Sequence, residues 1–380
     1  MLRFPVGARG WPWLVWALLL ILLCPATDSS AAPKKRLLIV SSYHREYLWS
    51  QDTQRGVCAG LLEFGYLDNP AQGETLTRTD TVESSRVVVQ KLWMDTKRKS
   101  SQQEMAQNAR QILRQAKTFQ PDLLLLGDDN AANYIGTQYL DTRTPVVFWG
   151  VNVWPLKYGL LDSVEKPGHN VTGVYQPGYM QEGLEFLVKL VPGIRTIAIL
   201  ADESETSLAK VKEFRRLERA GKLPVRFIGA VVSNDEEQWK AGALAMARQA
   251  DAIYLTNHNT IKDRTGQPVD QLVLGAWYLQ HVKKPDIGDE KQFVEEGVLS
   301  VADDSGFKQG YEAVRMAHRI LEQGENPAAM PPVAPSRGEL IVNRERARML
   351  GLESVILGNP LIEAIIDQAD ALKPPSPPPP

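Results

Sequence analysis

The sequence predicts an α/β protein of two Rossmann-like lobes, each built on a parallel sheet, joined by a multi-strand hinge. Three observations predict it. Short apolar runs that read as strands buried on both faces alternate with helical patterns. That alternation runs twice, with a break near residues 151–172. The chain has 380 residues, 43% of them apolar, enough for two domains of ordinary size.

In order, Leu37-Leu-Ile-Val40 is the first buried strand. A helix follows from Asp52, with Thr53, Val57, Leu61 and Phe64 at helical spacing and Gly65 as the stop. Residues 74–80 read as a second strand. Residues 102–118 read as an amphipathic helix, with Gln and Arg outside and Ile112 and Leu113 inside. Pro121-Asp-Leu-Leu-Leu-Leu126 is another buried strand, and Ala131 to Tyr139 a short helix. The strand Thr144-Pro-Val-Val-Phe148 runs into Trp149, Gly150, Asn152 and Trp154, where small turn residues are usual.

The second set begins with extended Val171–Tyr175 and a helix marked by Leu184, Leu187, Val188 and Val191, ended by Pro192-Gly193. Strands are predicted over Thr196–Leu200, Val225–Val232 and Asp251–Leu255, with helices over Leu208–Ala220 and Glu236–Ala250 between them. Residues 151–172 would make the first crossing between lobes, and a strand near 297–303 would cross back. The helix Phe307–Leu321 then returns to the first lobe. The expected boundaries are 34–152 with 298–330 for the first lobe, and 153–297 with 331–372 for the second. The proline-rich tail 373–380 reads as a solvated extended end.

Arg3 and Arg9 precede an apolar run from Trp11 to Leu23, and Ser29-Ser-Ala-Ala-Pro33 follows. This is the layout of a cleaved secretory signal over residues 1–31. The run is short of the roughly 20 residues that a spanning helix needs. Lipid anchoring at Cys24 is disfavoured, because Leu23 before it is not small. The mature chain is then periplasmic or secreted. It keeps Cys58 as its one thiol, so no intrachain disulfide can form.

Catalytic and cofactor motifs are missing: there is no phosphate loop, no G-x-G-x-x-G, no H-E-x-x-H and no G-x-S-x-G. The five histidines are scattered, and none pairs with another at metal-ligand spacing. No enzyme, cofactor or metal site is expected. A net charge of −2, without a basic stripe, argues against a nucleic-acid partner. The carboxylate pairs Asp128-Asp129 and Asp303-Asp304 read as solvated loop charge, and Lys97-Arg-Lys99 as a solvated approach to a helix.

What stands out is the content of the loops after strands, where open α/β sheets bind ligands. These loops hold Ser41, Ser42 and Tyr43; Asp128, Asp129 and Asn130; Gly150 and Asn152; Asn257, His258 and Asn259; and Asp289. Trp149 and Tyr175 supply aromatic surface, as do Trp49 and Trp154. Pockets combine such walls with a few orienting polar groups. These residues are the candidate ligand site, with Trp149 as its aromatic wall.

Several stretches resemble a known family in order: Pro121-Asp-Leu-Leu-Leu-Leu-Gly127, Thr144-Pro-Val-Val-Phe148, and the run from Gly159 through Lys166-Pro-Gly-His-Asn-Val-Thr-Gly173 to Val174. Leu190-Val-Pro-Gly193, Asp251-Ala-Ile-Tyr254 and Glu339 to Leu352 follow. The chain resembles, over roughly 35–370, the ABC-transporter substrate-binding family that includes tryptophan- and tyrosine-type binding proteins. The resemblance implies the type I periplasmic binding protein fold, with a small molecule held between the lobes by the loops named above. Members commonly read Val-Thr-Asp-Pro after the strand that ends at Phe148. Here Val151-Asn-Val-Trp-Pro155 is one residue longer and lacks the acid, which would suit a ligand ammonium.

The expectation is a monomeric solute-binding protein that gives an aromatic or amino-acid-like ligand to an ABC permease. The alternative is a periplasmic sensor module acting with a membrane receptor or histidine kinase.

Overall fold

The computed structural model describes residues 1–2, 33–152 and 155–373. The secretory signal with Cys24, the aromatic Trp154 and the proline-rich tail beyond Lys373 lie outside the described residues.

The first sheet has the order β2-β3-β1-β4-β5-β6. Along the chain come β1 (Lys35–Ser41), helix α1 (Leu48–Glu63), α2 (Pro70–Thr79), β2 (Thr81–Glu83), β3 (Val87–Trp93) and α3 (Gln102–Phe119). β4 (Leu123–Gly127), α4 (Asp128–Tyr134), β5 (Val146–Val151) and β6 (Val171–Tyr175) follow. β2 alone runs antiparallel. Strand parity sets the two faces. Leu37 and Ile39 of β1 and Leu123 and Leu125 of β4 pack with Val57 and Leu61 of α1. Leu38, Val40, Leu124 and Leu126 pack with Ala109 and Ile112 of α3 on the other face.

The second sheet has the order β13-β12-β11-β10-β9-β7-β8. Its elements are α5 (Met180–Leu190), β7 (Thr196–Ala201), α6 (Glu205–Arg219), β8 (Arg226–Val232), α7 (Glu236–Gln249), β9 (Ala252–Leu255) and α8 (Gln271–His281). β10 (Asp286–Gly288), α9 (Lys291–Glu296), β11 (Ser300–Ala302), β12 (Leu340–Asn343) and β13 (Ala364–Ile366) follow, with the short helices Arg344–Met349 and Glu353–Ile356 between the last two strands. Between β11 and β12 the chain returns to the first lobe as α10 (Gly306–Gln323). α10 packs on α1 at backbone distance: a Cβ at Gly310 would stand 2.3 Å from the Thr53 carbonyl oxygen, so only glycine fits.

Three expectations change. Residues 70–79 are a helix: Asn69 caps it by accepting from the Gln72 amide, Pro70 suits its first turn, and Asp80 ends it in a left-handed conformation. The Thr77 and Thr79 hydroxyls bond back to the carbonyls of Gly73 and Thr75, so threonine content does not make a strand here. The strand of that region is β3, which the sequence reading passed over. Next, Val171–Tyr175 pairs with β5 in the first sheet, so the first crossing comes after Tyr175. Finally, Ser300–Ala302 pairs with β10 and β12 in the second sheet, and the return crossing comes after it. A third crossing leaves Val333, which bridges to Val174, and reaches β12.

Below the second sheet, Arg346 pairs with Asp286. The guanidinium also donates to the carbonyls of Leu279 (3.1 Å) and Val282 (2.9 Å). Burial of both charges is offset by that complete set of partners.

Candidate functional site

Parallel strands end their carboxyl sides at the seam between the lobes, so the loops that follow them meet there. A cavity of about 1220 Å³ lies between the lobes. Thr96, Asn130, Tyr134, Asn152 and Tyr175 line it from the first lobe, and Ser204, Leu208, Asn234 and Thr260 from the second. Of the residues expected from the sequence, Asn130, Asn152 and Tyr175 are in its wall. The Asn130 amide donates to Thr96 Oγ1 at 2.9 Å, and the Asn152 amide to Gln176 Oε1 at 2.6 Å.

Deeper in the seam the walls touch. Tyr43 and Tyr47 meet edge to face, with ring centres 5.1 Å apart. The Tyr47 hydroxyl donates to Asn257 Oδ1 (3.4 Å) and accepts from Gln292 Nε2 (3.1 Å). The Trp49 amide donates to Gln292 Oε1 at 3.2 Å. Gln176 Nε2 donates to Glu290 Oε1 (3.4 Å), and the Gly178 amide to Asp304 Oδ2 (3.1 Å). Lys210 pairs with Asp289 and lies 3.5 Å from Glu290.

Asp128 sits in the left-handed region with φ 70°. Its carboxylate accepts the Trp49 indole N–H at 2.7 Å. Gly150, also left-handed at φ 66°, makes room for it: a Cβ there would stand 2.5 Å from Asp128 Oδ1. Burial pushes the Asp128 carboxyl up, helped by the neighbouring Asp129 charge. Burial likewise raises Asp304 to about 7 and Asp303 to about 8. Neither carboxylate pair is solvated loop charge: all four side chains are buried, Asp128 against Trp49 and Asp129 against Asn152 and Tyr158.

Other expected residues have structural places. The Ser42 hydroxyl donates to the Gly127 carbonyl (2.6 Å) and accepts the Ala131 amide (2.8 Å), tying β1 to α4. Ser41 is buried at the end of β1. His258 Nε2 lies 3.1 Å from Glu296 Oε2, and its ring lies near Trp239 in the core of the second lobe. Asn259 bonds to Gln271 and gives its amide to Asp202.

Trp149 is 1% exposed and packs in the first-lobe core with Val147, Val57 and Ala313. The reason is strand parity: Val147 and Trp149 share the α1–α10 face of β5, whereas Phe148 takes the other. Deeper in the seam than the cavity residues Tyr134 and Tyr175, the side chains of Tyr43, Tyr47 and Trp49 form a buried aromatic cluster. Tyr47 and Trp49 stand in the loop and first turn after β1, and that position was their signal. Lys97, expected to be solvated, is buried against Tyr43 and Tyr47. Lys210, inside α6, gave no signal in the sequence.

The family described as ABC transporter substrate binding protein matches residues 89–357. A tyrosine-binding protein of Clostridioides difficile is 24% identical over 205 residues, covering 54% of this chain and 56% of that protein. The chain therefore spans little more than half the length of that curated relative. An ABC domain in complex with L-Trp from Streptococcus pneumoniae superposes with a TM-score of 0.66 at 23% identity, covering 88% of this chain and all of that one. A ligand-free, open substrate binding protein with adhesive properties from Clostridium difficile gives 0.61 at 21% identity, over 87% of this chain and 99% of that one. At these identities the structures establish the shared fold, which is the expected two-lobe α/β arrangement.

Proposed function

Since the chain belongs to the family of ABC transporter substrate binding proteins, we propose that it is an extracytoplasmic solute receptor. It closes two lobes over a small, aromatic or amino-acid-like ligand and delivers that ligand to an ABC importer. The observation that carries this reading is the cavity between the lobes, walled by strand-end residues of both. Closure is favoured only by as much as the ligand binds the closed form better than the open one. The Tyr47–Asn257 and Trp49–Gln292 contacts join the two lobes across the seam and would hold the proposed closed form. The signal-like N-terminus supports export, and Asn152, Gln176 and Asn130 are the polar groups proposed to orient the ligand.

The test begins with mass spectrometry of ligand carried by protein purified without denaturation. The identified compound should shrink the particle in small-angle scattering. The double variant Asn152→Ala, Gln176→Ala should lose at least about tenfold in affinity, which is about 1.4 kcal/mol. In cells lacking the chain, uptake of the compound should stop and return only with the native protein. An unchanged scattering profile at saturating ligand would sink the clamp. Undiminished uptake would sink the importer role.

A further inference from the structure

Lys97 differs from the other charged groups of the seam. It follows Thr96, a residue of the cavity wall, in the loop after β3. The side chain is 4% exposed. Its ammonium stands 4.5 Å from the centre of the Tyr43 ring and 5.3 Å from that of Tyr47. Aromatic faces attract a cation but offer no lone pair to its three N–H groups. Among the described residues Lys97 makes no hydrogen bond and no ion pair. Buried donors are rarely left in that condition, and each such group calls for an explanation.

The acids of the seam are in the opposite condition. Asp128 holds the Trp49 indole, and Asp289 holds Lys210. Asp202 accepts the Ser207 hydroxyl (2.7 Å) and the amides of Asn259 and Thr260 (3.1 Å each). Glu290 accepts Gln292 Nε2 at 2.6 Å. The chain has used its own donors on its carboxylates and left an ammonium unmet in the seam, one residue after Thr96 of the cavity wall.

We propose that Lys97 anchors an anionic oxygen of the ligand, and that the solute is a small aromatic carboxylate recognised without any need for an ammonium group. The proposal rests on the interlobe site and names the chemistry of its guest. Tyr43, Tyr47 and Trp49 provide the aromatic neighbourhood. Asp128, Asp202 and Glu290 act on Lys97 through space, but none of them pairs with it. An oxygen in hydrogen-bond contact outweighs these more distant charges, because the attraction falls with distance. Burial also holds the Lys97 pKa below the usual lysine range, and a bound carboxylate would restore it. A single cation suits a monoanion better than a phosphate.

Three probes with the same ring and linker separate the possibilities: indole-3-propionate, tryptophan and tryptamine. Calorimetry on the native protein should show indole-3-propionate binding at least as tightly as tryptophan, and at least about tenfold more tightly than tryptamine. Lys97→Met keeps an unbranched side chain one atom shorter and removes the charge. It should weaken both acids at least about tenfold, while Lys97→Arg restores part of the loss. Inorganic phosphate should not compete. Tryptamine binding as tightly as the acids, acid affinity within twofold in Lys97→Met, binding of none of the three, or competition by phosphate would each overturn the anchor. Scattering on the same samples keeps the two readings apart. A bound amine that compacts the particle leaves the clamp standing and removes the anchor; an acid that binds without compaction does the reverse.

Discussion

Arg346 and Lys97 are both withdrawn from water, the first 0% exposed and the second 4%. The guanidinium of Arg346 has a carboxylate and backbone carbonyls around it. The ammonium of Lys97 has two ring faces and no acceptor. A charge that holds a fold together is surrounded by its partners during folding. A charge proposed for a guest waits without an acceptor in the seam, and its burial is tolerated until the guest arrives. The contrast separates structure from function better than burial does, since burial is nearly equal at the two sites.

The largest effect expected from breaking this contrast is at Arg346. Arg346→Met leaves Asp286 buried without its cation, which costs about 3–5 kcal/mol. Denaturant unfolding should show that loss, while ligand affinity of the folded fraction stays unchanged. A stable variant with weakened binding would reverse the assignment of the two cations.

The aromatic residues repeat the comparison. Trp149 is core and Trp49 is seam. Trp149→Ala opens a large core cavity and should cost about 3–5 kcal/mol of stability. Calorimetric affinity should move less than twofold at a temperature where the variant is folded. A tenfold loss of affinity at unchanged stability would return Trp149 to the ligand wall.

Much of this was legible in the chain, for identifiable reasons. Buried apolar runs such as Leu37–Val40 and Leu123–Leu126 marked the central strands, and the polar residues after them marked the seam. Which face a strand residue takes depends on parity, and parity depends on the partner strands. That is why Trp149 could not be told from a wall residue in advance. β3 was missed because Val87–Trp93 mixes Lys and Gln with valine, while the threonines of α2 imitated a strand. Lys97 and the acid pairs looked solvated because the groups that bury them, such as Tyr43 and Tyr47 around Lys97 and Trp49 on Asp128, lie far away along the chain.

Asp304 lies between the two cations in character. It has donors, the Gly178 amide and Gln309 Nε2, but among the described residues no ion pair, and burial raises it to about 7. In the unfolded chain such a carboxyl ionises near 3.9. Between about 4 and 7 the folded protein keeps a proton that the unfolded chain has released. The stabilisation this represents is complete below about 4 and is lost as the pH rises through about 7. Each pKa unit is worth about 1.4 kcal/mol. Melting temperature should fall from pH 5 to pH 8 in the native protein and fall less steeply in Asp304→Asn. Equal slopes in the two proteins would place the titration elsewhere. Asp303, raised to about 8, acts in the same direction, so the double Asn variant should be flatter still.

The smallest effect is expected at the mouth of the cavity, where Lys157 Nζ meets Glu205 Oε1 at 2.5 Å across the seam. Both side chains are well exposed, at 56% and 38%. Such a pair is worth about 0–1 kcal/mol and is screened by salt. In the proposed clamp this pair forms only on closure, so its loss should appear as weaker binding and not as lower stability. Lys157→Ala should reduce affinity less than about fivefold at low ionic strength. At about 0.5 M salt it should match the native protein, because the screening length is then only a few ångströms. The melting temperature of the ligand-free variant should not move. A tenfold loss that persists in salt would mean that closure is held at the rim. The buried contacts of Tyr47, Trp49 and Lys97 would then be secondary to the pair that encloses them.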